Sequence, residues 1–408
     1  MKLKNIIFVA LTTYQLYVSD SYSKYIKEHY PDKNVHIICV GLERDNYTPP
    51  QEVDLIMLPN MNKTVFNRVI QRLVYGGRFF FLTSLKQIVR SSHTILFVFN
   101  DNEPITNKLV REVKKIRNNK VAIIEEGIGI YSHSNNNKLT IKQQIRYFFT
   151  SILGSPMQYK AIGDNPNINY AIVGNKNLYE TLEKSRGQNV FAQNKNLLFS
   201  STEDFLKRYL GTSFSYQRAD IIYLGQPFDE YGKMLPDEEK CLEELFSLVE
   251  ENKTILIKPH PRDACDKYEN LAKKFRNVKV FSNTLSQLPI ECLLKGLNTS
   301  VLFSFNSSAG VNIANSFSNI KSIFLIKTET FRPIHKYWNK IGAIYDDSIY
   351  NSKNNNTFLP MSDKQIMDLL KQNIPVLEEH QRIESNQFEE IENIIKNRID
   401  GVGLNEKR

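Results

Sequence analysis

Short apolar runs rich in β-branched residues alternate along the chain with longer segments whose apolar positions recur at the period of a helix. Such runs predict buried strands, and the longer segments predict helices. Strands are predicted at 5–11, 35–40, 53–58, 94–99, 120–124 and 170–173, and again at 220–224, 254–258, 277–281, 299–303 and 321–326. Helices are predicted at 14–29, 64–90, 105–116 and 139–153, and again at 237–251, 265–275, 287–295 and after 308. This alternation indicates parallel sheets with crossover helices.

The alternation runs in two series, and a chain of 408 residues exceeds the usual size of a single core. The fold class predicted is therefore α/β with two doubly wound, Rossmann-like domains. The predicted divisions are an N-terminal domain at 1–195, an interdomain region at 196–218, a C-terminal domain at 219–360 and a helical segment at 361–408. The interdomain region is placed there because its sequence is polar and lacks a clear period.

Composition narrows the class of protein only a little. Hydrophobic residues make up 41% and charged residues 24% of the chain, as in ordinary folded proteins. The net charge of +9 attracts anions, but nucleotide sugars, anionic lipid and nucleic acid all qualify. Because no nucleic-acid-binding motif is recognised, we expect no nucleic-acid partner.

The chain is expected to be cytoplasmic. Its four cysteines lack a CxxC spacing, which indicates reduced, buried thiols. The first apolar run, 6–11, is too short for a signal segment or a membrane span. The basic, aromatic stretch 67–90 allows a weak, peripheral contact with an anionic inner membrane. Its alternative is a pair of helices with a solvated basic rim, which the helix-breaking Gly76–Gly77 favours.

In doubly wound sheets, ligands bind at the carboxyl ends of strands. At one such end, "KPHPRD" (258–263) places His260 between two prolines, which hold Lys258 and His260 extended. A neighbouring cation favours the neutral imidazole, and a bound phosphate would favour the imidazolium and allow it to donate a proton. The alternative is an ordinary loop histidine beside a solvated lysine.

At a second strand end, Ser307 and Ser308 precede a predicted helix. Hydroxyls and backbone N–H groups at the start of a helix can hold an anion without a charged side chain. The same serines could simply cap the helix, and the two roles are compatible.

Two further strand ends carry carboxylates. Glu125 and Glu126 precede Gly127, and Asp229 follows the turn of Gly225 and Gln226. A partly buried carboxylate at a sheet edge can act as a general base. The alternative for either site is that the carboxylates are solvated side chains in a loop or turn.

No metal site is predicted. The nearest acidic pair, Asp346–Asp347, has the sequence of a loop and does not follow a predicted strand. The metalloprotease and P-loop motifs are also missing from the sequence.

In their order along the chain, these motifs resemble bacterial sialyltransferases. The segments are "EEG", "YAIVGNKN", "YLGQPFDE", "KPHPRD", the pair Ser307–Ser308 and "SNIKSIFLIK", and together they span roughly 120–330. The chain resembles most the lipooligosaccharide sialyltransferases of glycosyltransferase family fifty-two, with capsule polysialyltransferases as near relatives.

The resemblance implies a GT-B-type fold, with the two domains facing across a cleft, and an inverting, metal-independent transfer. CMP-sialic acid would be the donor, with no separate cofactor. The acceptor would be a galactose-type or sialyl hydroxyl of lipooligosaccharide or capsule. A homodimer is a further expectation.

The resemblance also assigns roles to individual residues. His260 would protonate or hydrogen-bond the departing CMP phosphate, with Lys258, Ser307 and Ser308 around it. The other substrate-binding positions are Pro259, Arg262, Gly225, Gln226 and Gly127.

Two carboxylates compete for the role of base. Asp229 matches the position used by lipooligosaccharide enzymes, apart from the inserted Phe228, whereas Glu126 matches the polysialyltransferases. We favour Asp229 and keep Glu126 as the alternative. The competing functions are a transferase with another donor, such as CMP-Kdo or a UDP-hexose, and a non-catalytic protein that binds sugar nucleotides within a glycan-assembly complex.

Overall fold

The computed structural model describes residues 3–42, 47–58, 87–91, 93–131, 161–211, 218–227, 238–264, 266–297, 299–305, 307–314, 320–325, 357–358 and 363–371. Within this part of the chain, the residues up to Gly211 form one compact unit, and those from Arg218 onwards form a second. Three predicted features lie outside the described residues, namely Asp229, the helix at 139–153 and most of the basic stretch 67–90.

The first unit contains a sheet of seven parallel strands in the order β3-β2-β1-β4-β5-β6-β7. The strands are β1 Asn5–Ala10, β2 Asn34–Val40, β3 Val53–Leu58, β4 Thr94–Val98, β5 Lys120–Ile124, β6 Tyr170–Val173 and β7 Asn189–Ala192. The first six confirm the predicted strands. The sequence pattern missed β7 because this short edge strand is only half-buried and carries no continuous apolar run.

Helices of the first unit are α1 Thr13–His29, α2 Pro104–Lys114, α3 Lys176–Glu180, α4 Lys195–Ser200 and α5 Thr202–Leu210. The prediction of an irregular interdomain region at 196–218 was wrong over most of its length, since α4 and α5 pack against α1 within the first unit. Their buried apolar residues are Leu198, Phe205, Leu206 and Tyr209. These apolar residues are spaced for a helix, but the polar residues between them obscured the period. Gly211, with a φ of 70°, ends α5 in the left-handed region.

The second unit contains six parallel strands in the order β10-β9-β8-β11-β12-β13. They are β8 Ile221–Leu224, β9 Ile255–Lys258, β10 Val278–Val280, β11 Val301–Ser304, β12 Lys321–Phe324 and β13 Thr357–Phe358. Its helices are α6 Glu238–Ser247, α7 Glu269–Lys274, α8 Asn283–Ser286, α9 Ile290–Leu297, α10 Ser308–Ala314 and α11 Asp363–Lys371. Large aromatic side chains, among them Tyr223, Phe246 and Phe303, fill the core on one face of this sheet.

Both sheets reverse their strand order at one point, between β1 and β4 in the first unit and between β8 and β11 in the second. In the second sheet Leu224 lies opposite Lys258 and Ser304. The loops that follow β8, β9 and β11 therefore leave the sheet at the same level, at the place where doubly wound sheets bind ligands. Within the described residues, no helix combines the length and the apolar character needed to cross a membrane. Cys39 and Cys292 are buried, as predicted.

Candidate active site

The loop after β9 folds back on itself around His260. The backbone N–H of His260 donates to Asp263 Oδ2 at 2.9 Å, and the backbone N–H of Asp263 donates to the carbonyl of His260 at 2.9 Å. The Asp263 side chain is 1% exposed, so this carboxylate is an internal part of the loop. Two prolines and two hydrogen bonds thus fix the backbone on both sides of the imidazole.

The imidazole of His260 is held in one tautomer. Its Nδ1 accepts a hydrogen bond from the backbone N–H of Arg262 at 3.2 Å, so the proton of the neutral ring resides on Nε2. Burial lowers the pKa of His260 to about 4, the positive charge of Arg262 adds to this effect, and Asp263 opposes it. At neutral pH the ring is therefore neutral, as predicted from its cationic neighbours, and its Nε2–H is available as a donor.

Lys258 has a different contact from the one predicted. Its side chain is buried, and Nζ donates to the carbonyl of Ser286, in α8, at 2.8 Å. Burial also lowers the pKa of Lys258 to about 8. The Lys258 side chain therefore lies inside the unit, where it joins the end of β9 to α8.

A cavity of about 350 Å³ lies between the His260 loop and α8. Its lining residues are Pro259, His260, Pro261, Asp263 and Ala264 on the loop, and Asn283, Thr284, Ser286 and Gln287 on the other side. The α8 side offers neutral hydroxyl and amide groups, which suit a polar organic ligand. This wall was not predicted from the sequence, because its residues have the pattern of an ordinary helix start, although they do follow β10.

Gly225, at the end of β8, is required by close packing. A Cβ at this position would lie 2.6 Å from the Tyr268 hydroxyl and 3.1 Å from both Asp263 Oδ2 and the backbone nitrogen of His260. Gly225 was predicted from the resemblance as a substrate-binding position, whereas the structure shows close approach of the His260 loop to it. The next residue, Gln226, is buried.

Gly225→Ala should therefore displace the His260 loop. We expect the free energy of unfolding of the second unit to fall by about 1–3 kcal/mol, since a packed interior tolerates added volume poorly. We also expect kcat to fall by roughly tenfold or more because the imidazole shifts. Thermal melting and steady-state kinetics measure these effects. Gly129→Ala is the control, since its Cβ would only make an ordinary 3.4 Å contact with Ile162. Equal melting and turnover for the two variants would contradict the packing argument.

Ser307 and Ser308 stand where the sequence analysis placed them, at the end of β11 and the start of α10. Both are partly exposed, and the backbone N–H of Ser307 donates to Ser304 Oγ at 3.2 Å. The strand that they follow, β11, lies beside β8 at the point of strand reversal. The two serines thus leave the sheet at the same edge as the His260 loop.

In the first unit, the two adjacent glutamates have different roles. Glu125 is buried, and its Oε2 accepts hydrogen bonds from the Tyr131 hydroxyl and from the backbone N–H of Gly174, the latter at 2.6 Å. Burial raises the pKa of Glu125. This carboxylate joins the turn that follows Gly127 to the end of β6 and is a structural group.

Glu126 lies at the N-terminus of α1. Its Oε1 accepts from the Thr12 hydroxyl at 2.9 Å, and its Oε2 accepts from Gln15 Nε2 at 2.6 Å. The orientation of the Gln15 amide is fixed, because its oxygen accepts from the backbone N–H of Leu11. Thr12 also caps α1, so Glu126 is placed where the helix dipole favours a negative charge. Thr12 and Gln15 could not be predicted as partners from the sequence, since they precede Glu126 by more than a hundred residues.

No group of three or more His, Cys, Asp or Glu side chains among the described residues is arranged to hold a metal ion.

Two further predicted substrate-binding residues, Gly127 and Arg262, contribute backbone contacts. Gly127 precedes the short 3-10 turn Ile128–Tyr131, and its carbonyl accepts from the backbone N–H of Ile130 at 3.2 Å. Arg262 is exposed, and its part in the loop is the backbone bond to His260.

Two Rossmann-like units with polar strand-end sites give the chain a fold of the GT-B type. Over 98% of its length the chain matches UGT71G1 of Medicago truncatula in complex with UDP-glucose, covering 95% of that chain with a TM-score of 0.50 and 11% identity. Two bacterial structures are also similar. A sialyltransferase from Photobacterium damsela has a TM-score of 0.45 and 9% identity, with coverage of 88% of this chain and 81% of that one. A 2,6-sialyltransferase from Photobacterium sp. JT-ISH-224, in a ternary complex with CMP and lactose, has a TM-score of 0.46 and 11% identity, with coverage of 88% and 78%.

The family is shown by sequence. Residues 7–327 match the family model described as alpha-2,8-polysialyltransferase, and the chain belongs to this family. The protein is therefore a glycosyltransferase of the sialyltransferase class, which confirms the predicted resemblance. A search of the curated proteins found no significant match.

Proposed function

We propose that the protein is an inverting, metal-independent sialyltransferase that moves sialic acid from CMP-sialic acid to a hydroxyl of a bacterial surface glycan. The observation that carries this proposal is His260, a rigidly held, neutral imidazole whose Nε2–H is available as a donor beside a polar cavity, in a chain of the polysialyltransferase family. A leaving group with a single phosphate requires one such donor, together with neutral hydroxyls.

On the donor side, His260 acts on the departing CMP. The Nε2–H of the neutral imidazole hydrogen-bonds the phosphate. The negative charge of the bound phosphate also raises the pKa of the ring, which takes up a proton from solvent on Nδ1 in place of the Arg262 hydrogen bond, and the resulting imidazolium can transfer its Nε2 proton to the phosphate oxygen as the leaving group departs. Ser307 and Ser308 supply further donors to the phosphate oxygens. Lys258 supports this arrangement indirectly, because it holds α8 against the end of β9.

On the acceptor side, we propose Glu126 as the base. The polysialyltransferase pattern places the base in the acidic pair before glycine, and Glu125 is already engaged in buried hydrogen bonds. The carboxylate takes the proton of the acceptor hydroxyl while the oxygen of that hydroxyl bonds to the anomeric carbon. The bond from that carbon to the phosphate oxygen breaks, its electron pair leaves with CMP, and the configuration inverts. Asp229, favoured from sequence alone, becomes the alternative.

For the acceptor, the name of the family favours the hydroxyl of a terminal sialic acid over that of galactose. The growing glycan of a capsule, or a sialylated lipooligosaccharide, provides such an end. The basic, aromatic stretch 67–90 would suit a weak, peripheral contact with an anionic inner membrane that carries such an acceptor.

A panel of donors and acceptors tests the proposed function. The purified protein is incubated with CMP-sialic acid, CMP-Kdo or UDP-hexoses, and with lactose, sialyllactose or an oligosialic acid as acceptor. We expect product from CMP-sialic acid, with the highest rate on a sialylated acceptor, and NMR of the product should show the inverted linkage. Product from CMP-Kdo or a UDP-hexose alone would establish a different donor. Nucleotide binding without turnover on any acceptor would establish a non-catalytic assembly protein.

Activity should survive removal of divalent cations. We expect turnover in excess EDTA to equal turnover in added Mg²⁺ or Mn²⁺ within about twofold, because the His260 imidazolium and hydrogen bonds from the two serines can stabilise the charge of a single phosphate. Steady-state rates after dialysis against chelator, with and without metal added back, measure this. Abolition by EDTA and recovery on addition of Mg²⁺ or Mn²⁺ would contradict the mechanism.

A further inference from the structure

A cluster of buried charged and phenolic groups lies directly behind the His260 loop. Its centre is Lys267, whose Nζ is 2.9 Å from each of three oxygens: the Gln226 carbonyl, Asp263 Oδ1 and Glu238 Oε2. These oxygens belong to the segment after β8, the His260 loop and the first residue of α6. One ammonium group thus joins three segments that are distant in sequence.

The remaining oxygens of the cluster are also used. Glu238 Oε1 accepts from the hydroxyls of Tyr223 at 2.6 Å and Tyr268 at 2.8 Å. The Tyr268 hydroxyl also lies 3.4 Å from Asp263 Oδ2. The Glu238 and Asp263 side chains are 9% and 1% exposed, and the Lys267 side chain is 18% exposed. With its hydrogen bonds satisfied, such a network holds a single geometry more firmly than apolar contacts do.

Asp263 connects this cluster to the imidazole. One of its oxygens receives Lys267, and the other receives the backbone N–H of His260 itself. If Lys267 is removed, the Asp263 carboxylate loses its charge partner in a buried site and will rotate or admit water. The backbone of His260 must then move with it.

We propose that Lys267 and Asp263 are positioning residues that hold His260 in its reactive place relative to the end of β8. This inference rests on the role proposed above for His260. The two residues act through the histidine and do not touch the substrate. Their effect should therefore disappear when the histidine is absent.

A double-mutant cycle tests this coupling. Lys267→Met keeps the length of the side chain and removes its ammonium group, and we expect kcat with CMP-sialic acid and sialyllactose to fall by roughly 10–100-fold. In a His260→Ala background the same substitution should cost less than about threefold, since coupled residues are not additive. Lys273→Met is the matched control because Lys273 is an exposed lysine on α7, and it should leave kcat unchanged. Equal losses in both backgrounds would overturn the proposal.

Amide hydrogen exchange gives a readout that does not depend on turnover. Peptides spanning 258–268 should exchange roughly tenfold faster in Lys267→Met than in the wild type, and at the wild-type rate in Lys273→Met. If His260→Ala keeps full turnover while this exchange increases, the proposed function fails and the structural coupling stands. Unchanged exchange would contradict the coupling itself.

A second variant covers the case in which Lys267→Met does not fold. Asp263→Asn keeps an oxygen that can accept from the backbone of His260 but weakens the contact with Lys267. It should give a smaller loss of kcat in the same direction, again only when His260 is present. Full turnover in this variant would count against the proposal.

Discussion

His260→Ala should lower kcat by about 10²–10⁴-fold, which is the range that general acid–base groups contribute. The reason is that alanine removes the Nε2–H that we propose donates to the leaving phosphate. The loop loses only the hydrogen bond from the Arg262 N–H to Nδ1 and keeps its other contacts. The two prolines and the hydrogen bonds of Asp263 to the backbone of residue 260 do not depend on the imidazole. Circular dichroism and thermal melting should therefore stay near wild type while steady-state turnover with CMP-sialic acid collapses.

The control for this variant is His29→Ala. His29 is exposed near the end of α1, where it stacks on Tyr25, and its replacement should leave kcat unchanged. Near-wild-type turnover of His260→Ala would remove the histidine from the mechanism.

The pH dependence of kcat/KM gives a further test of His260 in the unliganded protein. Because the pKa of His260 is about 4, its neutral form persists down to roughly pH 5, and an acid limb of kcat/KM above that pH must come from another group.

Glu126→Gln is expected to have the second large effect, again a loss of about 10²–10⁴-fold in kcat. Glutamine has the same shape but only one acceptor oxygen. That oxygen can still accept from Gln15 Nε2, and the amide NH₂ can donate to the Thr12 hydroxyl, so the side chain should stay in place while its basicity is lost. Its partners at the start of α1 make this a clean test, because the geometry need not change. Turnover on a sialylated acceptor measures the loss, and Glu180→Gln, on the exposed face of α3, is the control.

Asp229→Asn provides the comparison between the two candidate bases. With Glu126 as the base, Asp229→Asn should alter chiefly KM or stability and keep most of kcat. The reverse pattern would assign the base to Asp229, as the sequence alone favoured. Full turnover in both variants would exclude a carboxylate base in this enzyme.

Much of the fold could be predicted from the sequence because a parallel strand buried on both faces must be apolar along its whole length. The runs at β8, β9 and β11 satisfied this condition, and β7, which is half-exposed, did not. The sequence also marked the end of β9, since the charge of Lys258 and the proline after it indicate where a buried strand stops, and β9 does end at Lys258. The helices α4 and α5 were missed because their apolar faces are short and become clear only when packed against α1.

The sequence by itself determined two doubly wound units, a histidine held between prolines at a strand end, and the family of the chain. These features follow from local rules, namely the period of apolar residues, the restricted φ of proline and the order of motifs. Only the tertiary structure decided that Lys258 donates to the Ser286 carbonyl and that Lys267 joins three segments. It also decided that Glu125 is buried, whereas Glu126 contacts the first turn of α1. Each of these contacts joins segments that are distant in sequence and that become neighbours only when the strands pair. A hydrogen bond between distant segments produces no periodic pattern in the sequence, so it cannot be predicted from one.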